Sequence, residues 1–265
     1  MTVFPVSLRF TPSLQQLHLR ELRGSDELSL ASSGTLGAIQ LLDRLMVRQA
    51  NAPAEVSSAR QIATADRDRI FAMLYQHLYG NRIDSSIECS ACQSMFDMDF
   101  ALDDLIRHLE RGGATNVKQV GQGVYQMKQQ GRFRLPTGED ECLLLSMPAA
   151  EAEQLLVERC WLEETTCSDR DLLQQAMQQL APMIASDLEA HCPECQHTQS
   201  VHFDLQSFLL SSLLKERERL LWEVHCLAKT YHWSHRDILE LPRTTRRSYI
   251  RLILSELDAN SSTIT

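Results

Sequence analysis

Two pairs of cysteines have the spacing of metal ligands. Cys89 and Cys92 form one C-x-x-C knuckle, and Cys192 and Cys195 form another. Each knuckle places two thiolates where one tetrahedral metal ion can take both, so the two knuckles together supply four ligands. A closed set of four thiolates leaves no coordination position for water or substrate. The spacing therefore predicts one zinc ion with a structural rather than a catalytic role.

The sequences that follow the two knuckles are similar at a constant offset of 103 residues. Beyond the cysteines, residue types match in three pairs: Phe100 with Phe203, Leu102 with Leu205, and Leu105 with Phe208. Each knuckle is predicted to lead into a strand and then a helix. This internal similarity favours a single zinc ion that joins two similar halves across the insertion at 93–191.

Two other interpretations of these cysteines stay open. They could be unrelated core thiols, because buried free cysteine is common in proteins. They could also belong to separate metal sites that use histidines, namely His108, His191, His197 and His202. The other cysteines have no ligand spacing among themselves and are predicted to be ordinary buried or half-buried thiols: Cys142, Cys160, Cys167 and Cys226.

The elements around the cysteines are predicted to give an α+β fold that is mostly helical, with short antiparallel strands and a helical C-terminal third. Apolar residues recur at helical spacing over 36–46, 64–80, 151–162 and 169–188. Glycines and prolines instead divide 117–147 into short strands at 120–127, 130–135 and 141–145. Near the C-terminus, Trp222 and Tyr231 are predicted to lie on the buried stripe of a helix.

The same patterns predict the domain organisation. Residues 1–60 are expected to be an N-terminal strand and helix segment with a linker near 51–53. Residues 61–257 form the zinc-tied α+β domain, which contains the strand-rich insertion at about 117–147. Residues 258–265 are expected to be a flexible tail.

Composition limits the classes of function. The chain has 265 residues, with 26 basic against 35 acidic residues and a formal net charge of −9. This charge disfavours a general nucleic-acid binder. The N-terminus lacks the features of a secretory signal, and no apolar run is long enough to span a bilayer. We therefore expect a cytoplasmic protein without membrane contact, in which cysteines serve as thiols or metal ligands.

A basic cluster near the C-terminus is a candidate contact surface. The segment 215–251 carries nine basic against five acidic residues, including Arg243, Arg246, Arg247 and Arg251 beside Tyr249. Such a cluster could touch phosphates, but a solvated or partner-binding surface is the favoured interpretation. The residues predicted to bind a partner are Trp233, Tyr249, Arg243, Arg246 and Arg247.

Several segments of the chain, in addition to the knuckles, resemble a known family. They are Leu19-Arg20-Glu21-Leu22-Arg23-Gly24-Ser25-Asp26-Glu27, the turn Arg134-Leu135-Pro136-Thr137-Gly138-Glu139-Asp140, and an ending with Tyr231-His232-Trp233 followed by Ile238-Leu239-Glu240-Leu241-Pro242. With these motifs the chain resembles the T-even-phage-type baseplate hub assembly chaperone family of contractile-tailed phages and related contractile injection systems. The resemblance spans nearly the whole chain apart from 29–60 and the last few residues.

The resemblance implies a function without catalysis. A protein of this kind assists assembly of the baseplate hub of a contractile tail through contacts with hub or spike proteins, and it offers no catalytic residues to carry over. Its place would be the bacterial cytoplasm, with or without incorporation into the finished particle. The alternative is a zinc-ribbon protein that binds nucleic acid or has a regulatory role. The acidic net charge makes nucleic-acid binding the less favoured expectation.

Overall fold

The computed structural model describes residues 3–12, 14–47, 58–112, 116–127, 131–163 and 169–262. It is 53% helical and 24% strand, and the strands are short and antiparallel. This confirms the predicted α+β class, including the helical C-terminal third. Within the described ranges, no helix combines the length and the apolar character that a membrane crossing requires.

Helices and strands alternate in short groups along the chain. The strands are β1 (Val3–Ser7), β2 (Gln16–Arg20), β3 (Arg82–Glu88), β4 (Met95–Ala101), β5 (Val117–Gly121), β6 (Val124–Met127), β7 (Gly131–Phe133), β8 (Ala185–His191) and β9 (Thr198–Asp204). The helices are α1 (Gly24–Ser29), α2 (Thr35–Leu45), α3 (Thr64–Tyr79), α4 (Leu102–Glu110), α5 (Gly138–Leu144), α6 (Ala149–Cys160), α7 (Arg170–Leu180), α8 (Leu205–Lys215), α9 (Arg217–Tyr231), α10 (His235–Glu240) and α11 (Arg243–Ser262). The sheets are β1-β2, β3-β4, β5-β6-β7 and β8-β9, so each joins strands that are consecutive in sequence.

The chain divides into two compact units. The first unit comprises Met1–Val6, Leu17–Ala52 and Leu210–Thr265, and the second comprises Ser7–Gln16 and Pro53–Leu209. The predicted ranges differ from this division, because the C-terminal helices belong with the N-terminal elements rather than with the cysteine knuckles. Helix α11 also continues past position 258, where a flexible tail was expected. The linker expected near 51–53 lies outside the described residues.

The C-terminal helices of the first unit share one apolar core. Its buried residues come from α9, α10 and α11 and include Leu220, Leu227, Ile238, Ile250 and Ile253. Tyr231 packs against this core, as the helical stripe predicted. Trp222 does not, because it lies beside the buried stripe of α9 and is 44% exposed. The prediction that Trp222 is a core residue is therefore wrong.

A hydrogen-bonded motif in the first unit connects β2 to α1. The Arg20 guanidinium donates two hydrogen bonds to the Asp26 carboxylate, at 2.6 and 2.8 Å. The same carboxylate accepts a hydrogen bond from the N–H of Arg23 at 3.0 Å, which caps the first turn of α1. Asp26 is 1% exposed, so the arginine supplies the positive charge that a buried carboxylate requires.

The second unit contains the same motif between β7 and α5. Arg134 donates to the Asp140 carboxylate at 2.6 and 2.8 Å, and the N–H of Thr137 donates to it at 3.0 Å. Residues 20–27 and 134–141 both have the pattern R-x-x-x-G-x-D-E. Two segments that carry the family resemblance are therefore one structural motif, present once in each unit.

Each copy of the motif also holds the start of a long helix. Glu27, the last residue of the first copy, accepts a hydrogen bond from Arg246 of α11 at 2.6 Å. Glu141 occupies the same place in the second copy and accepts from Arg67 of α3 at 2.5 Å. Both arginines are 1% exposed. The final glutamate of each copy therefore fixes a helix that is distant in sequence.

Three sequence-based assignments of the second unit are wrong. Residues 120–127 were expected to form one strand, but they include the turn between β5, which ends at Gly121, and β6, which begins at Val124. Residues 141–145 were expected to form a strand, but most of them lie in α5, because Thr137 and Asp140 form a capping box that starts a helix at Gly138. The helix expected over 169–188 ends at Leu180, and β8 begins at Ala185. The intervening Pro182 has no N–H and cannot continue the helix.

A buried carboxylate links α3 to the start of β8. Asp68 is 1% exposed, and its Oδ2 accepts a hydrogen bond from the N–H of Ile184 at 2.8 Å. Its Oδ1 has no hydrogen-bond partner among the described residues. Burial raises the pKa of the Asp68 carboxyl from 3.8 to about 7, although the Ile184 N–H and the Arg67 guanidinium act in the opposite direction. The folded protein therefore binds a proton at Asp68 more tightly than the unfolded chain does.

This raised pKa predicts a pH-dependent difference between the wild type and the Asp68→Asn variant. The contribution of Asp68 to stability is fully present below pH 3.8 and is lost as the pH rises to about 7. Asparagine keeps an acceptor for Ile184 and carries no charge. We expect the variant to gain stability relative to the wild type between pH 4 and pH 8, by up to about 4 kcal/mol. Urea unfolding of both proteins at pH 4 and pH 8 measures the difference in their free energies of unfolding. The same difference at both pH values would contradict the prediction.

Candidate metal centre

The two cysteine knuckles lie at the tips of two β-hairpins that have the same register. In the first hairpin the pairs run from Arg82↔Ala101 to Glu88↔Met95, and in the second they run from Ala185↔Asp204 to His191↔Thr198. Adding 103 to both residue numbers of each pair in the first hairpin gives a pair of the second hairpin. The predicted internal similarity is therefore structural. The strand after each knuckle was predicted, whereas the strand before it was missed, because its exposed polar residues give little apolar alternation.

The turn at each knuckle is also the same. The N–H of Cys89 donates to the carbonyl of Ser94 at 3.0 Å, and the N–H of Cys192 donates to the carbonyl of His197 at 2.9 Å. The residue after the second cysteine of each knuckle has a left-handed backbone, with φ of +63° at Gln93 and +61° at Gln196. This conformation is uncommon outside glycine, so its recurrence at equivalent positions marks one shared turn geometry.

The four cysteine sulfurs converge on one point. The Sγ atoms of Cys89 and Cys195 are 3.6 Å apart, and those of Cys92 and Cys192 are 3.7 Å apart. All four Sγ atoms lie within 4.8 Å of one another. A tetrahedral ion with metal–sulfur bonds of about 2.3 Å requires sulfur separations of about 3.8 Å. The spacing therefore fits one tetrahedral metal ion held by four thiolates.

The cysteine cluster has local two-fold symmetry. The contact of Cys89 with Cys195 becomes that of Cys192 with Cys92 when the two hairpins are exchanged, which is the signature of a two-fold interface. Phe100 and Phe203, which are equivalent residues, also pack edge to face with ring centroids 5.1 Å apart. In each knuckle the first cysteine is buried and the second is exposed. The two hairpins therefore contribute equally to the cluster.

Gln199 of β9 breaks this symmetry. Its side-chain oxygen accepts from the N–H of Ser90 at 2.7 Å, and its amide nitrogen donates to the carbonyl of Glu88 at 3.0 Å. Both partners belong to the other hairpin, on either side of Cys89. The residue equivalent to Ser90 is Pro193, which has no N–H to donate, and the residue equivalent to Gln199 is Phe96. The glutamine was not identified from the sequence, because only the folded register brings it to the first knuckle.

The pKa values of the cysteine thiols depend on the neighbouring sulfurs. Hydrogen bonds from the Ser94 side chain and N–H lower the pKa of Cys92 to about 6. The N–H of His197 also lowers the pKa of Cys195, but the adjacent sulfurs, led by that of Cys92, raise it to about 12. Four thiolates this close repel one another unless a cation neutralises them. The donor set is therefore suited to a divalent metal ion.

Among the described residues, none of the candidate histidine ligands belongs to the cysteine cluster. Within the described ranges, no other group of three or more His, Cys, Asp and Glu residues comes together closely enough to hold a metal ion. His202 and His191 instead lie beside carboxylates of their own strand pair, at 2.8 Å from Asp187 and 3.3 Å from Glu189. Cys160 is buried, and Cys142 and Cys226 are half-buried, as predicted, whereas Cys167 is outside the described residues.

The predicted arginine surface is largely internal. Arg243 and Arg246 are 2% and 1% exposed, so neither can serve as an open contact surface in this structure. Arg243 pairs with Glu27 at 2.7 Å and with Glu216, and Arg246 pairs with Glu27 at 2.6 Å and with Glu223 at 2.7 Å. No local sequence pattern indicates this network, because Glu27 lies more than 200 positions away from both arginines. The prediction that these two arginines bind a partner is corrected accordingly.

The other three predicted partner-binding residues are half-buried. Arg247 is paired with Glu216 at 2.8 Å. Trp233 stacks on Tyr231 with ring centroids 5.0 Å apart and meets Tyr249 edge to face at 5.0 Å. Both rings also pack against the core of α9, α10 and α11. Their contacts indicate that they stabilise the helical core, and their role at a partner surface stays a prediction.

Comparison of the chain with protein-family models, with curated proteins and with solved structures yields no match.

The geometry of the cluster predicts that removing one thiolate unfolds the second unit. Cys192→Ser and Cys89→Ser are each expected to be insoluble or unfolded, because the apparent binding energy of a structural zinc site is about 10–16 kcal/mol and depends on the full ligand set. Cys142→Ser is the matched control, since this half-buried cysteine lies outside the cluster. Solubility and thermal unfolding measure the effect. Unchanged melting temperatures in both cluster variants would contradict the assignment.

The bridging contacts of Gln199 predict a weaker and more labile metal site in Gln199→Ala. The variant should fold but should release metal more readily, with an affinity lowered by about 10-fold or more, which is typical of lost outer-shell support. Ser200→Ala, an exposed position on the same strand, is the control. Competition with a chromophoric chelator measures both, and equal affinities in the two variants would show that the glutamine does not support the site.

Proposed function

We propose that the cysteine cluster binds one zinc ion and that the ion is structural. Support comes from the donor set, since four thiolates in tetrahedral array favour zinc among common cellular metals. Cys89, Cys92, Cys192 and Cys195 would hold the ion, and its bonds would join the tips of the two hairpins. Four protein ligands fill a tetrahedral shell, so no position is left for a substrate or a reactive water.

We further propose that the protein is an assembly chaperone or structural accessory protein for the baseplate hub of a contractile phage tail or contractile injection system. It acts in the cytoplasm by protein contacts and without catalysis. The observation that carries this proposal is the dual R-x-x-x-G-x-D-E motif. Both segments that resemble the family build the same ion-pair scaffold, in which the arginine, the aspartate and the last glutamate of each segment are paired.

The ending that resembles the family also supports a structural role. Tyr231 and Trp233 pack in the aromatic cluster, Ile238 is fully buried, and Pro242 forms a β-bridge with Arg23 at the first copy of the motif. These contacts indicate that the family-like ending helps to hold the first unit together.

The alternative of a nucleic-acid-binding zinc ribbon has less support. This alternative rested on the basic cluster near the C-terminus. Two arginines of that cluster, Arg243 and Arg246, are buried and paired with carboxylates. Guanidinium groups that are already neutralised gain little from phosphate contact. The acidic net charge of −9 acts in the same direction.

Co-expression with tail proteins tests the proposed function. A tagged protein, produced together with the tail proteins encoded beside it, should recover hub or spike components in stoichiometric amounts. The Cys192→Ser variant should not, because its second unit is unfolded, whereas the Cys142→Ser variant should behave like the wild type. Recovery of nucleic acid alone, with an affinity that falls steeply as salt rises, would favour the zinc-ribbon alternative and contradict the hub role.

A further inference from the structure

Helices α9 and α11 border an open groove in the first unit, with a volume of about 560 Å³. The groove is lined by three arginines, Arg219, Arg247 and Arg251, and by a single carboxylate, that of Glu223. Glu223 is already paired with the buried Arg246 at 2.7 Å. The surface of the groove is therefore positive, in a chain whose net charge is −9.

The exposed arginines of the groove are not fully neutralised by the protein itself. Arg219 is 59% exposed and meets Glu223 only at 3.5 Å. Arg251 donates to the Ser248 hydroxyl at 3.0 Å, and the described residues include no ion pair for it. Exposed guanidinium groups in this state attract an acidic partner and steer its approach.

The groove also exposes apolar side chains. Trp222 of α9 and Leu254 of α11 line it and are 44% and 43% exposed. Leu221 and Leu252, close by in sequence, are 49% and 54% exposed. Tryptophan and arginine together are the residue types most enriched at energetically important interface positions. The occupant should therefore be a protein surface that presents leucines among carboxylates.

The second unit carries a surface of this chemistry. The segment 139–171 holds ten acidic against two basic residues. In the segment 139–153, exposed carboxylates at Glu139, Glu151 and Glu153 accompany Leu143 and Leu145, which are 56% and 50% exposed. These five residues are called the acidic leucine surface. It matches the groove both in the sign of its charge and in its exposed apolar side chains.

We propose that the groove of one copy of this protein binds the acidic leucine surface of a second copy. The contact is heterologous, because the groove and the acidic leucine surface are different parts of the chain. Two attractions combine in it: arginines meet glutamates, and Trp222 and Leu254 meet exposed leucines. This self-association does not depend on the proposed baseplate role.

Charge reversal in the groove tests the proposal by sedimentation. The average mass of the wild type should rise above 30.2 kDa as concentration increases, and less so at high salt. The double variant Arg219→Glu/Arg251→Glu should weaken self-association by at least about 10-fold. Lys229→Glu/Arg236→Glu, the same charge change at exposed positions of α9 and α10 outside the groove, should leave it unchanged.

Charge exchange between the two surfaces provides the second test. Glu139→Arg/Glu151→Arg should also abolish self-association, because both surfaces of that variant are then basic. An equimolar mixture of this variant with Arg219→Glu/Arg251→Glu should restore association, since each groove then meets a surface of opposite charge. Far-UV circular dichroism confirms that each variant is folded before mixing.

Three results would overturn the proposal. The first is a wild type that stays monomeric at 0.05 M salt up to about 0.5 mM protein, a concentration range that covers weak interfaces. The second is a self-association that the groove variant does not weaken. The third is a mixture of the two charge variants that does not associate. A photo-crosslinker in place of Leu254, used with a mixture of isotopically light and heavy protein, gives an independent readout. The expected crosslink joins two copies and maps to 139–160.

Discussion

The convergence of four cysteine sulfurs is the constraint on which the second unit depends. Two hairpins that lie 103 positions apart bring their tips together, and the sulfurs in contact are 3.6 and 3.7 Å apart. Closing a loop of about 100 residues costs about 4 kcal/mol of chain entropy. A four-thiolate zinc site supplies about 10–16 kcal/mol, so metal binding outweighs this cost. The chain between the hairpins can therefore form a strand-rich insertion without loosening the site.

The other recurring feature is the R-x-x-x-G-x-D-E motif, which is held together by ion pairs. In both units an R-x-x-x-G-x-D-E segment pairs its arginine with its aspartate and offers its glutamate to an arginine of a long helix. Such buried pairs are costly to desolvate, and removing one partner leaves an uncompensated charge. They fix the start of α3 and α11 relative to a strand end. These ion pairs therefore fix strand ends and helix starts within each unit, and the cysteine cluster brings together the two hairpin tips of the second unit.

Local patterns in the sequence were enough to predict the fold class and the grouping of the four cysteines. The C-x-x-C spacing and the offset of 103 residues identify the four cysteines, and helical periodicity identifies most helices, such as α3 and α6. The region 141–145 was misassigned because the side-chain cap at Asp140 outweighs the strand pattern. Arg243 and Arg246 were misinterpreted because their carboxylate partners are separated from them in sequence. Gln199 was missed for the same reason, since its contacts cross between hairpins.

X-ray absorption at the zinc edge on the purified protein, combined with elemental analysis, tests the central claim most directly. The account predicts one zinc ion per chain with four sulfur neighbours at about 2.3 Å and no lighter ligand. A protein without stoichiometric zinc would contradict it. So would a zinc ion with fewer than four sulfurs, because the ion would then not join both hairpins through a closed thiolate shell.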